Sequence, residues 1–139
     1  MMSEQQAQEL MYQMQTLEGY LSQLTQKESS IISIIREASA AIESLKTIDD
    51  KTGGESLIPV GLGAFVKAKI ATDEKLILNI GAGVAIEKDK NSAIIFLESR
   101  LKEMEVALQE TAGQKQQVAM SLEQGKHQME QLMAASRKK

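Results

Sequence analysis

Few side chains in this 139-residue chain could do chemistry, and their types and spacing decide which kind. Gly61-x-Gly63 and Gly81-x-Gly83 each resemble half of the glycine fingerprint that lets a backbone approach a phosphate. The third glycine position is taken by Val66 or Ile86, and no helix follows directly to supply its N-terminus, so a turn explains both better than a nucleotide does. His127 is the single histidine, lies in a helical stretch and has no cysteine to share a metal with. Asp49-Asp50 is an acidic pair in a polar loop, where nothing forms the water-excluded cleft that would tune a carboxylate for proton transfer. The absence of cysteine removes thiol nucleophiles, thiolate metal sites and disulfides. No nucleophile–base pair is present, so the expectation is no catalysis, no cofactor and no metal. What remains is the thioether. Of eight methionines, Met1, Met2, Met11 and Met14 lie near the start, Met120, Met129 and Met133 near the end, and Met104 alone elsewhere. Methionine is flexible and polarizable, which suits a surface that must accept many apolar shapes. The chemistry on offer is binding, not bond-making.

Two long helical stretches must position those residues. From about Glu4 to Ile48 one column reads Leu10, Met14, Leu17, Leu21, Leu24, Glu28, Ile31, Ile35, Ala38, Ile42, Leu45. Its spacing alternates four and three, the heptad seam of a coiled coil. A second column reads Ile94, Leu97, Leu101, Met104, Leu108, Thr111, Lys115, Val118, Leu122, Gly125, Met129, Leu132. Each helix is expected to be roughly 65–70 Å long at ~1.5 Å per residue. Asp89 or Asn91 can cap the second. Two matched helices joined by a short connector fold back as an antiparallel pair, which brings both chain ends to one tip. Setting Leu45 beside Leu97 places Leu24 near Val118, Leu10 near Leu132, and the two seam-breaking charges Glu28 and Lys115 at one height. Gly19, Gly113 and Gly125 should loosen the outer half, since glycine in a helix costs ~1 kcal/mol relative to alanine.

Between the helices, residues 56–88 read as strands. Val60-Gly61-x-Gly63-x-x-Val66-Lys67 recurs as Ile80-Gly81-x-Gly83-x-x-Ile86-Glu87, each copy a strand, a glycine turn and a strand. Thr72-Asp73-Glu74-Lys75 separates the copies as a polar turn, and the loop Asp49 to Gly54 ends the first helix. Pro59 marks its strand as an edge. Period-two alternation puts Ile58, Val60, Val66, Ala68, Ile70, Leu76, Leu78, Ile80, Val84 and Ile86 forward as an apolar oligomerisation surface. A four-stranded unit of this size leaves that face and its backbone edges uncovered, and partner chains are the natural cover.

The fold class is therefore mostly α with small β: a long antiparallel two-helix coiled coil with two tandem β-hairpins inserted between the helices. One domain, 1–139, is expected, with helices over 4–48 and 90–137. Two Phe, two Tyr and no Trp argue against a thick globular core. A net charge of −3 gives no general reason to bind nucleic acid. There is no apolar run long enough for a membrane span and no basic, apolar leader, so a soluble, cytoplasmic chain is expected. The terminal Arg137-Lys138-Lys139 complements the helix dipole.

The segments IPVGLGAFVKAKI, LNIGAGVAIEK and AIIFLESRLKE, set between two long helices, resemble the alpha class of the prefoldin family over essentially the whole chain. Two hairpins instead of one point to the alpha class. The resemblance implies a hexamer of two alpha and four beta subunits, its hairpins joined in a β-barrel platform carrying six coiled coils. It further implies an ATP-independent chaperone that captures non-native polypeptides between the tips and delivers them to a group II chaperonin.

Within that reading Leu10, Met11, Met14, Leu17, Met129, Leu132 and Met133 are the candidate client contacts. Met14 and Met129 also satisfy the seam, which alone accounts for them; Met11 and Met133 lie off it. The competing expectation is a structural coiled-coil scaffold or filament protein assembled through its hairpins. A methionine-rich, glycine-loosened tip separates the two, because a purely structural rod needs neither.

Overall fold

The computed structural model describes residues 4–48, 54–70 and 75–137. In chain order the elements are α1 (Glu4–Thr47), β1 (Gly54–Gly61), β2 (Ala64–Ile70), β3 (Leu76–Gly81), β4 (Val84–Lys88) and α2 (Lys90–Arg137). Two long helices thus enclose two small antiparallel hairpins in sequence. The loop read over Asp49 to Gly53, the turn read over Thr72 to Glu74, Met1, Met2 and the final two lysines lie outside the described residues. Gly54, read as the end of that loop, instead opens β1 opposite Ile70, because backbone pairing carries the ladder two residues beyond the apolar pattern.

Both helices follow their heptad columns. Every residue of the two predicted seams is buried or half-buried, while most positions between them face solvent. Burial, more than propensity, holds helices of 44 and 48 residues with few aromatic side chains.

The chain forms two compact units, one from the residues up to Ile34 with those from Met104 onward, the other from Ile35 to Glu103. In the first, Leu24, Val118 and Leu122 make a buried cluster, flanked by Met14, Leu17 and Leu21. Thr111 is fully buried at its seam position, and its hydroxyl donates to the Ala107 carbonyl at 2.8 Å, so the polar atom is satisfied within its own helix. Lys115 Nζ donates to Glu28 Oε1 at 3.1 Å. The two charges that interrupt the seams therefore meet, as the register requires.

Gly125 departs from its sequence reading. It is buried, and a Cβ placed on it would lie 3.0 Å from Met14 Cγ and 3.4 Å from Sδ. Its missing side chain leaves a slot against which Met14 packs. Gly19 and Gly113 have nothing within 4 Å of the same probe position.

In the second unit Ile42 and Ala93 are buried. Asp89 caps α2: the Ser92 N–H donates to Asp89 Oδ1 at 2.7 Å, and the Ala93 N–H to the Asp89 carbonyl at 2.9 Å. The Ser92 N–H, helped by its hydroxyl, holds this carboxyl below its ordinary range. Lys90 Nζ donates to the Ile48 carbonyl at 2.7 Å, satisfying an acceptor just past the end of α1. Lys46 and Glu98 approach to 3.9 Å, an exposed pair of little energetic weight one step from the expected Leu45–Leu97 level.

Each hairpin is its own two-stranded antiparallel sheet. In the first, Ile58 opposes Val66 and Ser56 opposes Ala68; in the second, Leu78 opposes Ile86. Val60 and Ile80 fall at register shifts immediately before the turns. Both two-residue turns have positive φ at each central position, 48° and 76° at Leu62-Gly63 and 54° and 76° at Ala82-Gly83. This is the type I′ signature, whose twist matches the flanking strands. Leu62 and Ala82 thus share the left-handed region that the sequence reading gave to glycine alone, and each takes on local backbone strain.

Candidate functional site

Four thioethers come together in the helical unit. Met11 and Met14 from α1 and Met129 and Met133 from α2 line one open groove of about 570 Å³, with Gln15 and Glu18 along its side. The spacing explains the gathering. Residues 11, 14, 15 and 18 lie on one stripe of α1, and 129 and 133 are one turn apart on α2. Met14 and Met129 are half-buried seam residues, whereas Met11 and Met133 are each 53% exposed. The groove therefore has a partly sheltered thioether floor and an outer pair open to water. Large apolar side chains left half in solvent, in an unbranched and polarizable form, make an adaptable apolar surface.

The other predicted client contacts do not share this groove. Leu10 and Leu132 line a neighbouring depression walled by Gln6, Glu9, Gln13, Gln128 and Gln131, where amides outnumber apolar groups. Leu17 packs against the Leu24–Val118–Leu122 cluster, so its main contribution is to the core. Tyr12, one residue from Met11 and exposed, borders a shallow site with Gln13, Thr16 and Leu17. The sequence reading missed it because an exposed tyrosine carries no periodic signal. Gln15 and Glu18 were legible only as helix-stripe neighbours of Met11 and Met14.

His127 lies beside Gln131, 3.3 Å from ring nitrogen to side-chain amide, on an exposed helix face. Among the described residues no three metal-ligating side chains of His, Cys, Asp or Glu type form a group. The Gly-x-Gly units are hairpin turns; in the second, the Asn79 side chain accepts from the Gly81 N–H at 3.0 Å.

The strand residues present a second surface. Ile58, Val60, Val66, Ile80 and Val84 are exposed, while Ala68, Ile70, Leu76, Leu78 and Ile86 are half-buried. Cross-strand pairing puts Ile58 with Val66, and Leu78 with Ile86, on a common face of their hairpins. The opposite faces also carry exposed apolar residues, namely Leu57, Phe65 and Ile77. No helix among the described residues is long and apolar enough to cross a membrane.

The described residues thus hold a paired-helix unit with a thioether groove, and two hairpins with exposed apolar residues. Comparison with known proteins gives the family. The Prefoldin model, described as prefoldin subunit, matches residues 10–135, and the chain belongs to the prefoldin family. The relatives named prefoldin subunit alpha include one from Nitrosopumilus maritimus, 54% identical over 96% of this chain and 92% of its own length. Another, from Methanoculleus marisnigri, is 33% identical over 76% of each chain. The resemblance to the alpha class thus holds across the length of the molecule. The fold is also that of the prefoldin beta subunit from Thermococcus strain KS-1, with a TM-score of 0.65 and 91% of each chain covered at 15% identity.

Proposed function

We propose that this chain is the alpha-class subunit of an ATP-independent prefoldin-type chaperone of the cytoplasm. In this reading its hairpins assemble with beta-class subunits, two alpha with four beta, and its methionine groove holds non-native polypeptides for delivery to a group II chaperonin. No catalytic residue and no cofactor take part. The observation that carries the reading is the groove formed by Met11, Met14, Met129 and Met133. Unfolded clients share no shape, only exposed apolar side chains, and flexible thioethers adapt to any of these without a fixed pocket. One such groove binds weakly. Several on one assembly raise the effective concentration, so weak contacts sum to capture without nucleotide-driven work.

The strand surface supports the assembly half of the proposal. Exposed β-branched residues on facing positions, on strands that among the described residues each pair with one neighbour only, are satisfied when strands of other subunits add to them. A scaffold without client binding would use the same strands but would have no use for the groove.

The test is aggregation of a chemically denatured enzyme diluted into buffer without ATP, followed by light scattering. Complexes carrying serine at the four groove methionines should assemble normally and suppress aggregation severalfold less well. Equal suppression by serine and wild-type complexes would assign client holding to the partner subunits and leave this chain as a platform.

A further inference from the structure

The groove holds four of the eight sulfur atoms of a chain that has no cysteine, so thioether oxidation is the sulfur chemistry open to it. We propose that Met11 and Met133 are reversible oxidation sites, and that their conversion to sulfoxides switches off the client groove. This inference rests on the groove being the client site and adds its regulation.

The reaction needs only a hydroperoxide. A sulfur lone pair attacks the distal peroxide oxygen and the O–O bond breaks. The thioether gains that oxygen and is oxidised by two electrons, while the other oxygen leaves as water or alcohol, taking up, directly or through solvent, the proton that the transferred oxygen gives up. A thiol-dependent sulfoxide reductase returns the thioether and water. Access controls the rate, and the structure grades access within one groove. Met11 and Met133 are 53% exposed, whereas Met129 is half-buried and Met14 lies across the backbone slot at Gly125. The outer pair is therefore oxidised first, and the helix seam keeps its inner pair intact.

The consequence is selective. A sulfoxide is a strong hydrogen-bond acceptor in place of an apolar tip. A client's aliphatic and aromatic side chains would then have to desolvate it with no donor to offer. The core formed by Leu24, Val118 and Leu122 contains no sulfur and is unaffected. Peroxide would thus lower client affinity and leave the fold standing. Leucine at the same positions would give an equally apolar groove without this response.

The experiment uses the assembled complex with its beta-class partners. Hydrogen peroxide is added in a time course, and peptide mass spectrometry follows sulfoxide at each methionine beside client holding at matched times. Met11 and Met133 should oxidise at least threefold faster than Met14, Met129 and Met104. Holding should fall in step with them, and treatment with sulfoxide reductase should restore it. Complexes with Met11→Leu and Met133→Leu, each read against its own untreated sample, should lose at least threefold less of their holding in peroxide, which separates this chain's sulfurs from those of its partners. The inference is overturned if Met11 and Met133 are not oxidised faster than Met14 and Met129, if their oxidation leaves holding unchanged, or if the leucine variants lose activity as fast as wild type. If the leucine variants fold poorly, complexes assembled from peroxide-treated wild-type chain and untreated partners make the same separation: full holding by them overturns the inference, and reduced holding restored by the reductase supports it. Full holding by untreated complexes with serine at all four groove methionines is a separate result: it overturns the client-site reading itself, and this inference with it.

Discussion

Three glycines interrupt the helical unit, and the structure predicts that alanine will act oppositely at one of them. Gly19 and Gly113 are exposed, with nothing within 4 Å of a built Cβ. Alanine at either position should gain the helix-propensity difference, about 1 kcal/mol, with no steric charge against it. The two sites share no partner, so the double variant should gain about 2 kcal/mol. Gly125→Ala has the same propensity gain but places its methyl 3.0 Å from Met14 Cγ and 3.4 Å from Sδ. Cγ lies near the backbone end of the Met14 side chain and cannot swing aside without carrying Sδ and Cε with it. Overpacking of this kind costs typically ~1–3 kcal/mol, which cancels or exceeds the gain. The net expectation is a change between about zero and a 2 kcal/mol loss. Removing the obstacle should reverse the sign: in a Met14→Ala background, Gly125→Ala should stabilise by about 1 kcal/mol. Urea unfolding followed by far-UV circular dichroism, at one fixed protein concentration, measures all of these. If Gly125→Ala stabilises the otherwise wild-type chain as much as Gly19→Ala does, Met14 does not occupy the slot. A destabilising Gly113→Ala would equally refute the assignment of that glycine to an open face.

Three further outcomes are expected. Alanine at Glu28 and Lys115, singly and together, should show a favourable coupling of about 1 kcal/mol, because the pair is only part-buried; strictly additive losses would dissolve the pairing. Replacing Val66 and Leu78 with aspartate should break assembly while helicity persists, through several kcal/mol of uncompensated charge burial at the subunit interface; an unchanged mass by light scattering would remove the strands from that interface. The Asp89 carboxyl is held below its ordinary range by the Ser92 N–H, so its stabilising effect is complete above the unfolded-state carboxylate pKa and is lost as pH falls through its lower folded value. Asp89→Asn should keep the cap and abolish that acid dependence, whereas Asp89→Ala should lower the melting temperature at neutral pH; identical acid profiles for wild type and Asp89→Asn would refute this.

The helical seams were legible because a three-four spacing of apolar residues has one low-energy outcome, a buried stripe, and even the exceptions Glu28 and Lys115 declared themselves by opposite sign at one height. The hairpins were legible from their glycines and β-branched runs. What escaped were properties that belong to no single residue. A type I′ turn imposes positive φ on both central positions, so Leu62 and Ala82 are left-handed because of the strands they join, not because of what they are. Gly125 reads as a flaw in a helix until Met14, 111 positions away in sequence, is seen lying across it. The methionine groove was legible only as a set of residue positions. That Met11, Met14, Met129 and Met133 converge while Leu17 joins the core depends on side-chain direction along each helix, which periodicity alone does not specify.

The hydrogen bond from Lys90 to the Ile48 carbonyl bears on how such a chain can change over time. The first residue of α2 holds the backbone just past the last residue of α1, so the polypeptide leaves the helical pair and rejoins it at one point in space. Everything between those two positions is a closed detour. Lengthening it by a hairpin, or shortening it by one, leaves the phase of both heptad columns untouched, because neither helix counts the residues in between. Strand number and seam register are then independent inheritances. A duplication such as the Val60–Lys67 and Ile80–Glu87 repeat could arise within the detour and be tested for new neighbours while the groove-bearing helices stayed as they were.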